Sequence, residues 1–265
     1  MNYIYKIYEM MYFTFIAQNR ISKLENKKGR KLYIVANGPS ASKYIDEIDL
    51  DDENTDVLCM NQFIFKEPEK FMKIKPKYYI AMDGGFWSVS EESPTVHGEF
   101  IESIEKVDWD MQLICNPHIT YKLKNPNIHM QYLSPVQICS DSKLVQMLYK
   151  HNLCIPSLSN VSTAAVFWGI VSKYKEIKVM GLDYSNFLLI HVDVDNTIYM
   201  GFEHCYEKAK HSNVSKYYFS KMGDLWRGYE ATFNSFYVLR KLADNMGTKV
   251  INMNPNSLLD AFPKK

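Results

Sequence analysis

The chain has 265 residues, of which 46% are apolar and 23% are charged, so it can bury a large core and is not expected to be disordered. Its 31 basic and 30 acidic residues leave a net charge of +1. This balance argues against a protein whose main role is to coat nucleic acid, because neutralising phosphates requires a surplus of positive charge. The five cysteines form no CxxC pair, which predicts reduced thiols in a cytoplasmic protein.

Residues 1–30 differ from the rest of the chain and are predicted to form an amphipathic, basic helix that precedes a single domain, residues 31–265. Apolar residues recur at helical spacing from Ile4 to Ile16, and basic residues follow from Arg20 onwards. The apolar stretch is too short and too charged to span a bilayer. Two alternatives remain open. The helix lies in the membrane interface at the inner face of the plasma membrane, or it packs against the domain or a second subunit of a homo-oligomer.

Six short apolar runs rich in Val, Ile and Tyr predict buried β-strands, and each run leads to an Asn or Asp. The runs cover residues 32–36, 57–60, 78–82, 113–115, 177–180 and 250–253. Two helical patterns lie among them, at residues 162–174 and 229–246. The alternation of strands and helices predicts an α/β fold with a doubly wound, mostly parallel, Rossmann-like sheet.

In such a sheet, polar residues that follow parallel strands collect at one edge, where ligands bind beyond the carboxyl ends. Asn and Asp also suit turns, so a purely structural role is the alternative. We expect Asn160 or Ser162 to cap the first predicted helix, and Gly247 to end the second. The polar and aromatic segment 186–223 is too long for an ordinary loop, and it predicts a lid over the active site.

The sequence KLYIVANGPS at residues 31–40 predicts a strand that runs into a tight turn. Gly38 has no side chain, so the backbone of this turn can approach a ligand closely. Ser40 is predicted to cap the next helix, whose N-terminal amides would favour a phosphate. The motif is neither the GxGxxG fingerprint nor a P-loop, which weakens the NAD-binding and kinase interpretations.

Four motifs follow one another between Lys31 and Pro263: VANGPS, CMNQF, YKEIKVMGLDY and NPNSLLDAFP. In this order they resemble the bacterial sialyltransferases of glycosyltransferase family 42 and a wider group of lipopolysaccharide- and capsule-locus proteins. The resemblance implies a GT-A-variant fold and inverting transfer of a CMP-activated acidic sugar, such as sialic acid, to a hydroxyl of a cell-surface glycan. It implies no metal and no other cofactor. The implied partners are the nucleotide sugar and a glycan or lipid-linked glycan acceptor, without nucleic acid.

The resemblance also implies a set of donor-binding residues. The set is Asn37, Gly38, Pro39, Ser40, Asn61, Asp83, Asn160, Ser162, Asp183, Tyr184, Tyr206, Asn254, Asn256 and Ser257. The first four match a turn that holds the nucleotide phosphate and ribose, and the last three match a PNS element beside the base. Asp83 replaces a family asparagine, which leaves the identity of the donor open. Ser185 replaces a family tyrosine that contacts phosphate, so Tyr184 or Tyr206 would take over that contact.

His204 lies in the sequence GFEHCY, inside the predicted lid. In the resembling proteins, a histidine at this place serves as the catalytic base. The role fits its chemistry, because imidazole titrates near neutral pH and can accept a proton from an acceptor hydroxyl. His211 and His191 are the competing candidates, and a surface histidine without a catalytic role is the alternative.

Asp193-Val194-Asp195 is a DxD triplet, the arrangement with which metal-dependent glycosyltransferases bind a divalent ion. Such triplets are common by chance, and the resembling family works without a metal. Three other functions stay open. They are a UDP- or GDP-sugar transferase with a metal on Asp193 and Asp195, a pterin pyrophosphokinase-like enzyme that binds ATP, and a non-catalytic capsule-assembly protein.

Overall fold

The structure is a computed structural model that describes residues 3–89, 94–157, 160–217 and 220–265. Residues 1, 2, 218 and 219, which belong to the predicted N-terminal helix and the predicted lid, lie outside the described residues. The strands are β1 (Lys31–Val35), β2 (Thr55–Met60), β3 (Tyr78–Ala81), β4 (Met111–Cys115), β5 (Ile128–Tyr132), β6 (Glu176–Met180), β7 (Ile190–Val192), β8 (Ile198–His204), β9 (Glu207–Asn213) and β10 (Lys249–Asn252). The α-helices are α1 (Tyr3–Met11), α2 (Ala41–Tyr44), α3 (Phe63–Lys66), α4 (Pro68–Ile74), α5 (Val96–Glu105), α6 (Lys143–Lys150), α7 (Val161–Val171), α8 (Val214–Tyr217) and α9 (Met222–Met246).

The main sheet has seven strands in the order β10-β6-β1-β2-β3-β4-β5, and each neighbouring pair is parallel. The six strands predicted from apolar runs are all present, so the predicted parallel sheet is confirmed. The edge strand β5 was not predicted. Its sequence IHMQY buries only Ile128 and Gln131, so it lacks the continuous apolar run by which the central strands are recognised.

Alternate residues of each central strand enter two separate cores, one on each face of the sheet. In β1, Leu32 and Ile34 pack into the core covered by α7 and α9. Tyr33 and Val35 of the same strand pack into the opposite core, covered by α3, α4 and α5. The period of two in side-chain direction explains this division. The predicted doubly wound α/β fold is therefore confirmed.

The predicted helix ends are partly confirmed. The side chain of Asn160 caps α7 by accepting a hydrogen bond from the amide of Ser162 at 2.8 Å, and Gly247 ends α9 with a left-handed φ of 70°. The predicted cap at Ser40 is wrong. Ser40 precedes α2 in a helical conformation, with φ −70° and ψ −16°, so its hydroxyl does not reach back to cap this four-residue helix.

Much of the predicted lid is regular structure. Strands β7, β8 and β9 form a small antiparallel sheet, and α9 begins well before the predicted position. Ile198 and Met200 of β8 pack with Val214 and Leu225 in a third, smaller core. This packing fixes the small sheet, hereafter the lid sheet, against the first turns of α9.

The N-terminal segment forms α1, which continues into a π-helical turn at Tyr12–Ile16. The predicted helix over residues 1–30 is therefore too long, because the backbone becomes extended at Ala17 and the basic residues from Arg20 to Arg30 lie outside any helix. In the described part of the chain, no helix is both long enough and apolar enough to cross a membrane. All five cysteines are free thiols.

A buried carboxyl joins three elements at the amino edge of the sheet. Asp56 in β2 is only 3% exposed, and it accepts hydrogen bonds from Arg30 Nε at 2.7 Å and Nη2 at 2.6 Å and from Tyr174 Oη at 2.7 Å. Burial opposes ionisation of this carboxyl, but the bonds from Arg30 and Tyr174 outweigh it and hold the pKa of Asp56 below its usual value. Asp56 therefore stabilises the folded state as a carboxylate.

We expect Asp56→Asn to lower the free energy of unfolding by about 2–4 kcal/mol near pH 7, because the guanidinium of Arg30 loses its partner. Since the folded-state pKa is lowered, the wild-type contribution is complete above the unfolded-state pKa of about 4 and is lost below it. The stability difference between wild type and variant should therefore shrink as the pH falls below about 4. Urea unfolding at several pH values measures it. Exposed Asp110→Asn is the control and should stay within about 0.5 kcal/mol of wild type.

Candidate functional site

The main cavity lies at the point where the strand order of the sheet reverses. From β1 the chain adds β2 to β5 on one side, and it then returns to place β6 on the other side. A cavity of about 510 Å³ opens beyond the carboxyl ends of β1, β2 and β6, and it is lined there by Asn37, Asn61 and Asp183. Ligands of open α/β sheets bind at such a switch point.

The turn after β1 is locked to the loop after β6. Gly38 donates its amide to the carbonyl of Gly181 at 3.1 Å, and Ser40 donates its amide to Asp183 Oδ2 at 3.1 Å. A Cβ on Gly38 would overlap the carboxyl of Asp183 and the carbonyl of Gly181, so only glycine fits here. Because these bonds use the amides of Gly38 and Ser40, the two amides cannot donate to a phosphate. The predicted phosphate-binding role of this turn is therefore corrected for both amides.

Three buried polar atoms of the cavity wall have no hydrogen-bond partner among the described residues. They are Asn37 Oδ1, Asn61 Oδ1 and Tyr184 Oη. The amide of Asn37 is oriented by its Nδ2, which donates to the carbonyl of Met60 at 3.4 Å, and its oxygen is left without a partner in the described part of the chain. Buried polar atoms are nearly always paired, because leaving one unpaired costs about 1–3 kcal/mol. A polar ligand is the partner that this arrangement fits.

Asn61 and Tyr184 also hold unusual backbone conformations. Their φ angles are 53° and 56°, in the left-handed region that residues other than glycine rarely adopt. The carbonyl of Asn61 accepts a bond from Tyr79 Oη at 2.5 Å, which holds this conformation in place. Conformations of this kind persist where surrounding contacts impose them, and they concentrate at functional sites.

His204 reaches the cavity from the end of β8 in the lid sheet. The hairpin that follows it is bound to the turn after β1, because the amide of Cys205 donates to the carbonyl of Asn37 at 2.9 Å. Tyr206 stacks on the imidazole with ring centroids 5.1 Å apart and planes 18° from parallel. Glu203 also lines the cavity. The hairpin thus brings an imidazole and a carboxyl to the same cavity as the unpaired amide oxygens of Asn37 and Asn61.

Helix α9 closes another side of the cavity with residues that include Tyr229 and Thr232, which were not predicted as site residues. Tyr229 lines the cavity, and Tyr184 packs edge-on against Phe233 and Phe236 at 5.4 and 5.5 Å. Burial raises the pKa of Tyr229 to about 12 and also raises the pKa of Tyr184, so both hydroxyls keep their protons at neutral pH. Tyr184 Oη can therefore donate a hydrogen bond to an anion. The period of aromatic residues along α9 was the available signal.

The N-terminus of α7 presents the positive end of its helix dipole to the cavity, while the amide of Ser162 is already bonded to Asn160. Asn160, Val161 and Ser162 line the cavity, so this eleven-residue helix begins at its wall. The aligned peptide dipoles give a helix N-terminus a partial positive charge. This supports an anion site at α7, rather than at the short α2 as the sequence suggested.

The structure brings together many of the predicted site residues. The cavity wall includes Asn37, Gly38, Pro39, Asn61, Asn160, Ser162, Asp183, Tyr184 and His204. The predicted competitors of His204, the exposed His191 and His211, pack against each other on the lid sheet at 5.3 Å.

Other predicted residues lie outside the wall of the described cavity. Asp83 is exposed after β3 and accepts a bond from the amide of Gly85 at 2.8 Å, so it serves a turn. Asp193 Oδ1 accepts bonds from the amides of Asp195 and Thr197 in the β7–β8 turn, away from the cavity. Among the described residues, no group of three or more His, Cys, Asp or Glu side chains could hold a metal ion.

The predicted PNS element lies behind the cavity wall and braces it. Asn254 donates its side-chain amide to Asp183 Oδ1, and Ser257 Oγ donates to the carbonyl of Leu182 at 2.6 Å. Asn256 is exposed, and its amide donates to Asn254 Oδ1 at 3.0 Å. These contacts give the element a structural task in place of the predicted contact with a base. Ser40 and Tyr206 likewise stand beside the cavity and support its lining residues.

Comparisons of the chain with protein-family models, with curated proteins and with solved structures found no match. The chemistry of the cavity is therefore inferred from its own side chains. Two features matter most, namely the unpaired acceptors at the strand ends and the imidazole on the facing hairpin.

We expect Gly38→Ala to lower the free energy of unfolding by about 2–4 kcal/mol, because the new methyl group overlaps backbone and carboxyl atoms that cannot move apart freely. Chemical denaturation measures this loss. The matched control is Gly98→Ala, where a Cβ meets nothing within 4 Å and the residue lies in α5. That control should raise stability by about 0.5–1 kcal/mol. A Gly38→Ala protein as stable as wild type would contradict the locked turn.

Proposed function

We propose that the protein transfers a sugar from a nucleotide-activated donor, a CMP-linked acidic sugar, to a hydroxyl of a cell-surface glycan. One observation carries the proposal. The cavity at the switch point holds unpaired acceptors on Asn37 and Asn61 and faces the imidazole of His204. The two amide oxygens suit ribose hydroxyls or an exocyclic base amine, which donate hydrogen bonds. The resemblance of the four sequence motifs to family 42 sialyltransferases supports the same function.

In the proposed reaction, an acceptor hydroxyl attacks the anomeric carbon in a single displacement, and the bond from that carbon to the phosphate oxygen breaks. His204 accepts the hydroxyl proton, and the nucleoside monophosphate leaves with the electron pair. The single displacement inverts the configuration of the anomeric carbon. The N-terminus of α7 and the hydroxyl of Tyr184 would stabilise the charge that develops on the leaving phosphate.

The neighbouring thiol is a poor alternative to the imidazole. Burial, assisted by the nearby charge of Glu67, raises the pKa of Cys205 to about 11. A thiol with this pKa remains protonated at neutral pH and is a weak nucleophile and a weak base. His204 supplies this hairpin with an imidazole, the side chain best suited to accept a proton near neutral pH.

A thermal-shift panel of CMP, UDP, GDP and ATP, each with and without Mg²⁺, tests the donor. A ligand at about 100 times its Kd stabilises the fold by about 2.7 kcal/mol, so we expect a clear rise in Tm with CMP and no Mg²⁺ requirement. A response to ATP alone would point to the pyrophosphokinase-like alternative. A Mg²⁺-dependent response to UDP or GDP would point to a metal-dependent transferase, and no response to any nucleotide would refute the proposal.

Asn61→Gly should weaken CMP binding about tenfold, because it removes the unpaired amide while glycine keeps the left-handed backbone. The matched control is Asn196→Gly, which changes a residue of similar φ, 60°, in the exposed β7–β8 turn. Isothermal titration of CMP into both variants gives the two affinities. Equal affinities would show that the Asn61 side chain does not contact the nucleotide.

His204→Ala should lower kcat by roughly 10²–10⁴-fold and leave CMP affinity unchanged, because the imidazole is assigned to the acceptor proton and not to the nucleotide. His211→Ala, on the neighbouring strand and outside the cavity wall, should keep the wild-type kcat. Release of CMP from a CMP-sugar in the presence of acceptor measures both. A fully active His204→Ala enzyme would exclude His204 as the base.

A further inference from the structure

The helix α1 and the π-helical turn after it pack at the carboxyl edge of the sheet, the edge that also carries the main cavity. Phe13 is only 5% exposed, and its ring packs edge-on against His118, which follows β4, at 4.5 Å. Asn19 donates to the carbonyl of Ile119 at 2.6 Å in the same loop. The helix is therefore anchored to the domain by one side.

The charges that interrupt the apolar sequence of this helix face the domain. Lys6 Nζ donates to the carbonyl of Gln137 at 2.5 Å, and Glu9 pairs with His118 Nε2 at 3.4 Å. At 100° per residue, Lys6, Glu9 and Phe13 share one side of the helix. The charged groups are thus used for packing, and they leave the outer side without charge.

The outer side of the helix is a broad apolar surface. Its side chains are more than half exposed, with Ile4 at 73% and Phe15 at 67%. It includes Ile4, Ile7, Tyr8, Met11, Phe15 and Ile16. A contiguous exposed apolar patch of this kind marks an interaction site in a globular protein.

Exposed basic side chains follow the helix in the chain. The chain turns back along the helix after Ile16, since the amide of Ile21 donates to the carbonyl of Phe13 at 3.0 Å. Arg20 and Lys23 are exposed there, and neither forms an ion pair with an acidic residue in the part of the chain that the structure describes. Farther along, Arg30 and Lys31 pair with Asp56 and Asp52 and are not available.

We propose that the outer side of residues 3–16 binds the surface of an anionic lipid bilayer, with the helix lying in the plane of the interface. The apolar side chains enter the acyl boundary, the tyrosine rings suit the headgroup level, and Arg20 and Lys23 meet the negative lipid charge. This charge complementarity favours a bilayer over a second copy of the chain, whose helix would bring the same positive charges. The docked helix also turns the carboxyl edge of the sheet, with its cavity, towards the bilayer.

The experiment measures flotation of the full chain with vesicles of phosphatidylcholine alone or of phosphatidylcholine mixed with phosphatidylglycerol. We expect binding to the mixed vesicles that weakens as salt increases, and much weaker binding to phosphatidylcholine alone. This comparison needs no mutation, so it remains decisive even if a variant fails to fold. Equal binding to both kinds of vesicle would show that the basic residues do not recognise anionic lipid and would overturn that part of the proposal. No binding to either would overturn the whole proposal.

The variant Ile7→Glu/Phe15→Glu should weaken vesicle binding by at least about 100-fold, because each buried side chain of this size contributes roughly a factor of ten. Arg20→Glu/Lys23→Glu should weaken it by at least about 25-fold, from roughly fivefold per basic residue. The matched control, Leu144→Glu/Met147→Glu, adds the same charge on the exposed side of α6 and should bind as wild type does. Circular dichroism checks that each variant is folded.

Light scattering of the lipid-free protein tests whether a second copy of the chain, and not a bilayer, covers the apolar surface. A monomer that binds mixed vesicles supports the proposal. A stable dimer that Ile7→Glu/Phe15→Glu converts to monomer, together with no vesicle binding, would overturn it and assign the apolar surface to a second copy. Neither result depends on nucleotide binding or on transfer activity, so it leaves the proposed function to its own tests.

Discussion

The carboxyl group of Asp183 holds together three segments that are distant in sequence. Oδ2 accepts the amide of Ser40, Oδ1 accepts the side-chain amide of Asn254, and the carbonyl of Asp183 accepts the amide of Leu258 at 2.9 Å. Gly38 permits this approach because any Cβ would occupy the space of the carboxyl. The position of Asn37, and through Cys205 that of the whole His204 hairpin, depends on this contact.

The same contact decides where an anion can bind. The bonds to Asp183 and Gly181 use the amides of the turn after β1, so that turn presents side chains to the cavity and no free amide of Gly38 or Ser40. The short helix after the turn adds little dipole, whereas α7 has eleven residues and begins at the cavity wall. A phosphate is therefore expected nearer to α7, with the unpaired oxygens of Asn37 and Asn61 left for groups that donate hydrogen bonds. Under the proposed function, this division would separate the phosphate of the nucleotide from its hydroxyls.

Sequence reasoning succeeded where local pattern and tertiary position agree. Central strands are buried on both faces, so their apolar runs predicted the sheet and the polar residues at its carboxyl edge, including Asn37 and Asn61. It failed where a side chain has two possible tasks. Asp83 and Asn254 follow strands as Asn61 does, yet the first serves a turn and the second braces Asp183. Only the packing of loops that are far apart in sequence distinguishes these roles, and no local pattern records that packing. Tyr229 of α9 was missed for the same reason, because periodic aromatic residues also fit an ordinary core.

The N-terminal helix packs against the domain, which is one of the alternatives drawn from the sequence. Lys6 and Glu9 interrupt the apolar pattern of the sequence, but in the fold they form polar contacts with the domain on the same side as buried Phe13. Packing on the domain thus removes the charges from the outer side and creates the apolar surface there. A helix with no charges at all would give the domain no polar contacts to orient it. The charged interruptions therefore determine which side of the helix remains outside, and hence which edge of the sheet an attached surface would face.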